Sequence, residues 1–81
     1  MIHVIAQIHL LPDSRNTFLA EFNQVVPLVR AEAGCIEYVA TVDATSDLER
    51  QYRDPDRVII IEKWETLRHL QDHLNAPHML D

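Results

Sequence analysis

Glycine is almost missing: Gly34 is the only one in 81 residues. That excludes a GxGxxG dinucleotide fingerprint and a P-loop, since neither can be written with a single glycine. Cysteine is equally scarce. Cys35 stands alone, so there is no internal disulfide framework, and a reducing cytoplasm is the simplest home. Basic residues are few, 7 Lys and Arg against 13 Asp and Glu, for a net charge of −6 with His neutral. Nucleic acid, which demands a basic patch, is disfavoured as a partner, and so is an anionic membrane surface. No apolar run approaches the roughly 20 residues of a membrane span. The opening "MIHVIAQIHLL" lacks the basic segment and small-residue cleavage site of a secretory signal. A chain this short makes one domain, spanning residues 1–81, with a small core, so self-association is an expected extra source of stability.

What is present is strong periodicity. "IHVIAQIHLL" alternates, with Ile2, Val4, Ala6, Ile8 and Leu10 on an apolar face and His3, Ile5, Gln7, His9 and Leu11 on a mixed one. This predicts a strand, closed by Pro12-Asp13-Ser14, which offers a helix cap. Phe18, Phe22, Val25, Val26 and Val29 then recur at helical spacing and predict a helix over about 14–33, with Pro27 on its solvent side and Gly34 as its left-handed stop. "CIEYVATV" predicts a second strand, with Cys35, Glu37, Val39 and Thr41 on one face and Ile36, Tyr38, Ala40 and Val42 on the other. The polar stretch "DATSDLERQYRDPDR" reads as a long hairpin loop. Its Arg53, Asp54, Asp56 and Arg57, like Arg15 and Arg30 on the first helix, read as solvated charge. "VIIIEKW" predicts a third, central strand. Thr66 caps a second helix whose buried stripe is Leu67, Leu70 and Leu74, and Pro77 ends it. The predicted order β-α-β-β-α is the ferredoxin-like α+β plan, an antiparallel sheet with both helices on one face, without its closing strand.

The residues able to do chemistry gather late in the chain, in "EKWETLRHLQDHLNAPHML". By 100° steps, His73 lies at the edge of the second helix's apolar stripe, where it can reach a pocket or merely fill space. Glu62 alternates with Ile60 and Trp64 on an apolar face, so its carboxylate must be paired or its pKa rises. It can orient a His or act as an acid; a cross-sheet Arg pair or a rim position serves equally. Trp64 packs the core or walls a flat ring, and Tyr38 has the same two readings. His69 and His73 have an HxxxH spacing that His78 or Glu62 could complete as a metal set, but no HExxH and no second Cys accompany it, so no metal is expected. His3 and His9 read as edge or dimer-face residues.

"EAGCIEY" followed by "IIIEKWETLRHLQDHLNAPHM" resembles the antibiotic biosynthesis monooxygenase family, and within it the small bacterial quinol monooxygenases. The resemblance runs from "VIAQIHLLPDS" to "PHML". Its most specific parts are Gly34-Cys35, Glu62-x-Trp64, and His73 with Pro77-His78. It implies a ferredoxin-like dimeric α/β barrel, hence a homodimer. It also implies oxidation of quinols, anthrones or related aromatics by dioxygen with no metal, haem or flavin cofactor. In that reading His73, Glu62 and Trp64 carry catalysis, with His73 taking the quinol proton and Glu62 steadying it. Tyr38, His78, Ile60 and Ala6 contact substrate, with His78 the second choice of base. Relatives of this kind continue past "PHML" with more helix and a closing strand, so the resemblance implies a C-terminally shortened domain. A haem-binding or haem-degrading relative and a non-enzymatic dimeric ligand-binding module are the alternative functions.

Overall fold

In a computed structural model, residues 1–80 are described. The elements are β1 (Ile2–His9), α1 (Arg15–Arg30), β2 (Cys35–Thr41), β3 (Arg57–Trp64), α2 (Leu67–Leu74) and a single turn, α3 (Pro77–Leu80). The three strands form one antiparallel sheet in the order β1-β3-β2. The β-branched strand β3 is central, as its composition predicts. This is the expected α+β, ferredoxin-like plan, and the sheet is not closed.

The apolar face of β1 and that of β3 coincide, because the register sets Val4 opposite Glu62, Ala6 opposite Ile60 and Ile8 opposite Val58. Val58, Ile60, Glu62 and Trp64 are all buried on the helix side, joined by Phe22, Val26 and Val29 of α1 and Tyr38 of β2. Removing the fully buried Trp64 would cost about 3–5 kcal/mol, the usual result of truncating a core aromatic.

The α1 stripe is as predicted, and Pro27 lies inside the helix on its exposed side. Its missing N–H is tolerated there, and its carbonyl still accepts from the Ala31 N–H. The helix is shorter than predicted. It stops at Arg30, and Gly34 is not its immediate stop but the third residue of a turn in which the Cys35 N–H donates to the Glu32 carbonyl at 3.2 Å. Gly34 has φ +79°, the value a type II turn requires at that position. Ser14 sits at the N-cap, but its hydroxyl donates back to the Leu11 carbonyl and caps nothing.

Two predicted faces are corrected. In β2 a bulge at Ile36 separates the pairs Cys35–Trp64 and Glu37–Lys63, which breaks strict alternation. Cys35 therefore joins Tyr38 and Ala40 against the core, and Ile36 is exposed. In α2, Leu67 and Leu74 are 55 % and 57 % exposed, Leu70 is half-buried, and the buried residue is His73. The helix has rolled so that an imidazole, and not the leucine stripe, meets the sheet.

The loop between β2 and β3 is long, as expected, and is knitted internally. Arg57 pairs with Asp43 at 2.9 Å, the Asp54 N–H donates to Asp43, and Asp54 accepts from the Asp56 N–H. The Asp54 N–H bond, aided by Arg57, holds the Asp43 carboxyl below its ordinary range. Arg57, Asp54 and Asp56 are thus loop-binding groups more than a solvated cluster. Arg30 likewise does more than decorate a surface, since its guanidinium donates to the Tyr38 carbonyl at 3.2 Å.

Candidate functional site

Three elements bring one polar group each to the same place. Thr66 caps α2 by accepting the His69 N–H, which fixes the helix start just after Trp64. His73 is then two turns along, on the side facing the sheet. The turn after α1 delivers Glu32, and its glycine has a second reason to be a glycine: a Cβ at Gly34 would overlap the imidazole of His69. The turn and α2 are therefore in intimate contact. Pro77 starts α3 at the first helical position it favours, and this turn carries His78 back toward Glu32.

His73 is 1 % exposed. Its Nδ1 lies 2.9 Å from Glu32 Oε2, and the same oxygen lies 2.9 Å from His78 Nε2. An ionised carboxylate only accepts, so both facing nitrogens carry protons: Nδ1–H of His73 and Nε2–H of His78. In the neutral ring that leaves Nε2 of His73 as the acceptor, 3.8 Å from Glu62 Oε1. Glu62 is buried and accepts the Trp64 indole N–H at 3.0 Å. The imidazole is flanked by Trp64, with ring centres 4.6 Å apart, and edge-on by Tyr38 at 5.5 Å. Phe22 stacks on the far side of Tyr38.

Negative charge predominates around the site, with Arg30 the nearby positive group. Among the described residues neither Glu32 nor Glu62 forms an ion pair with Lys or Arg. Burial, followed by the charges of Glu62 and Glu32, pushes the Tyr38 phenol up to about 12. Burial and the same two carboxylates raise the Cys35 thiol, against the opposing pull of Arg30.

The structure thus gathers His73, Glu62, Trp64, Tyr38 and His78 around one point. Ile60 lies one inward position before Glu62, and Ala6 is paired with Ile60. Neither cross-sheet Arg nor rim describes Glu62; its partner is Trp64. His69 is separate, with its Nδ1 2.8 Å from Thr66 Oγ1. The sequence reading missed Glu32. Only its place two residues before the chain's sole glycine marked it, because no periodicity links positions 32 and 73. Nor is the neighbourhood of His73 open. Surface depressions lie along the β2–β3 loop and the start of α1, lined by residues such as Arg15, Asp43, Leu48 and Pro55, away from His73.

Comparison with known proteins bears on the same region. A family model described as "Antibiotic biosynthesis monooxygenase" matches residues 1–81. A curated relative, "Probable quinol monooxygenase YgiN" from Escherichia coli K12, is 40 % identical over 81 residues, covering 98 % of this chain and 78 % of its own length. Among solved structures, the Pseudomonas aeruginosa protein PA3566 superposes with a TM-score of 0.77 at 29 % identity, over 96 % of this chain and 71 % of that one. A conserved Methanosarcina mazei protein superposes with a TM-score of 0.79 at 22 % identity, over 96 % and 69 %, which speaks to the fold alone.

Proposed function

The chain belongs to the antibiotic biosynthesis monooxygenase family, and from that premise we propose that it oxidises a quinol or a related polycyclic aromatic with dioxygen, without a cofactor, using His73 as the base. The relative named a quinol monooxygenase supports the substrate class. The observation that carries the reading is the buried imidazole of His73, held through Nδ1 by Glu32 and bordered by Trp64 and Tyr38.

Dioxygen is a ground-state triplet and does not react directly with a closed-shell aromatic. A quinol becomes competent by losing a proton. Its anion passes one electron to dioxygen, giving a semiquinone and superoxide, and the pair then recombines or separates. With a phenolic pKa near 10, only about one molecule in a thousand is ionised at neutral pH. Nε2 of His73 takes that proton, and the imidazolium formed is stabilised by Glu32 at Nδ1 and by Glu62 beside Nε2. A base so placed contributes roughly 10²- to 10⁴-fold. Trp64 and Tyr38 border the ring; Ile60 and Ala6 extend the apolar floor of the site. His78, tied to Glu32 through Nε2, holds the carboxylate in place and ranks behind His73 as a base. Because His73 is 1 % exposed, the substrate reaches Nε2 only as the side chains around it part.

Oxygen uptake with a panel of naphthoquinols and anthrones, corrected for autoxidation, tests the reading. We expect protein-dependent uptake with at least one of them and no requirement for added haem, flavin or metal. Uptake no faster than autoxidation across the panel would leave a ligand-binding module in place of an enzyme.

A further inference from the structure

We propose that Glu32, His73 and His78 form a binding site for one divalent transition-metal ion of the zinc type, and that this ion switches off the base at His73.

The donor atoms are already gathered. Glu32 Oε2 is 2.9 Å from His73 Nδ1 and 2.9 Å from His78 Nε2, and all three lie within 4.8 Å of one another. Ligand atoms at about 2.0–2.1 Å from a zinc ion stand roughly 3 Å or a little more apart, so small rotations of the two rings admit an ion where two hydrogen bonds now run. Two imidazoles and a carboxylate, leaving a further position open, are a recurrent zinc set. The donors come from three elements: the turn after α1, α2 and α3.

A second observation is independent of the ligands. An imidazole that binds a metal through one nitrogen characteristically gives its other N–H to a carboxylate. Glu62 stands on that side of His73, 3.8 Å from Nε2. Neither carboxylate forms an ion pair with Lys or Arg among the described residues. The upward displacement of the Tyr38 phenol is partly the work of those same two charges. A cation would relieve both. Glu32 and His78 are part-exposed, which gives an ion a way in that the quinol's side of His73 lacks.

Coordination at Nδ1 has a chemical consequence. The proton that Nδ1 gives up is taken at Nε2, so the nitrogen facing Glu62 and Trp64 becomes a donor and can no longer accept a proton. This inhibitory consequence rests on the proposed role of His73; the site itself does not.

Calorimetric titration of the protein with zinc chloride decides the first part. We expect saturable binding of one ion per chain, weakened at least about tenfold in Glu32→Gln and in His78→Ala, and about 10- to 100-fold in Glu62→Gln. It should be unaltered in the His3→Ala/His9→Ala double variant, which removes the two exposed strand histidines. Circular dichroism establishes that each variant is folded. No saturable binding, or binding that survives His78→Ala and disappears with His3 and His9, overturns the site. Quinol oxidation measured across the same titration decides the second part. Turnover should fall in step with occupancy and return on adding a chelator. Bound zinc with undiminished turnover refutes the tautomer switch alone, and a protein with no quinol turnover still reports on the metal by calorimetry.

Discussion

An ionised carboxylate set between two imidazoles assigns an N–H to the nitrogen that faces it on each ring. Glu32 stands in this place for His73 and His78, and in the neutral ring of His73 the acceptor is then Nε2. Glu32→Gln keeps the shape but replaces one oxygen with an amide that donates. We expect kcat for quinol oxidation to fall with KM little changed, by less than the roughly 10²- to 10⁴-fold that a general base supplies. A second residue-scale prediction concerns Tyr38. Its phenol is neutral when protonated, and the fold raises its pKa to about 12 from an unfolded value near 10. The folded protein therefore holds that proton more tightly. The stability linked to it is fully present below pH ~10 and is lost as pH rises through about 12. Tyr38→Phe should reduce this alkaline sensitivity, read as unfolding midpoints against pH. At this scale His73, Glu62, Trp64 and Tyr38 were legible because each broke a pattern: a His at the edge of a helical stripe, or a polar atom on an apolar strand. Glu32 broke none. It follows an ordinary helix, and its contact with His73 spans 41 positions, which only the folded chain can reveal.

At the scale of elements, the turn after α1 decides where Glu32 points, and Gly34 decides the turn. Its φ of +79° is open to glycine and strained for other residues by about 1–3 kcal/mol, and a methyl there would meet the His69 ring. Gly34→Ala should lower stability by at least that amount in a urea titration and displace α2. Leu67→Gln should change it by no more than about 0.5 kcal/mol, since that side chain is 55 % exposed. Ranking by hydrophobicity alone put Leu67, Leu70 and Leu74 inside and His73 at the margin. The roll of α2 was set instead by what it faces: an indole, a phenol and a carboxylate, for which an imidazole is the better neighbour. The strands were legible from period-2 alternation because one face of the sheet is covered. The bulge at Ile36 was not, since one extra residue changes no composition, only the count.

The whole molecule is a slab, 39 × 26 × 16 Å, with helices on one face of the sheet. The other face is bare. The register aligns Ile5 with Ile61 and Ile61 with Val39 across it, and Ile5 is 71 % exposed. No helix among the described residues is long and apolar enough to cross a membrane. We expect this face to pack against a second copy. Sedimentation should give a dimer, and Ile61→Glu, which sets a charge in the middle of that row, should give a monomer. The topology was readable from the order of elements and the central character of β3. A second copy as the partner for the bare sheet came only from the family resemblance, because one chain's pattern says that a face is apolar and nothing of what covers it.

The proposed chemistry stands or falls with the imidazole at position 73 taking the substrate's proton. Steady-state oxidation of a naphthoquinol by His73→Ala, corrected for autoxidation and compared with the unmutated chain, measures it most directly. We predict a fall in kcat/KM of about 10²- to 10⁴-fold in a variant that remains folded by circular dichroism. An unchanged kcat/KM would contradict the claim.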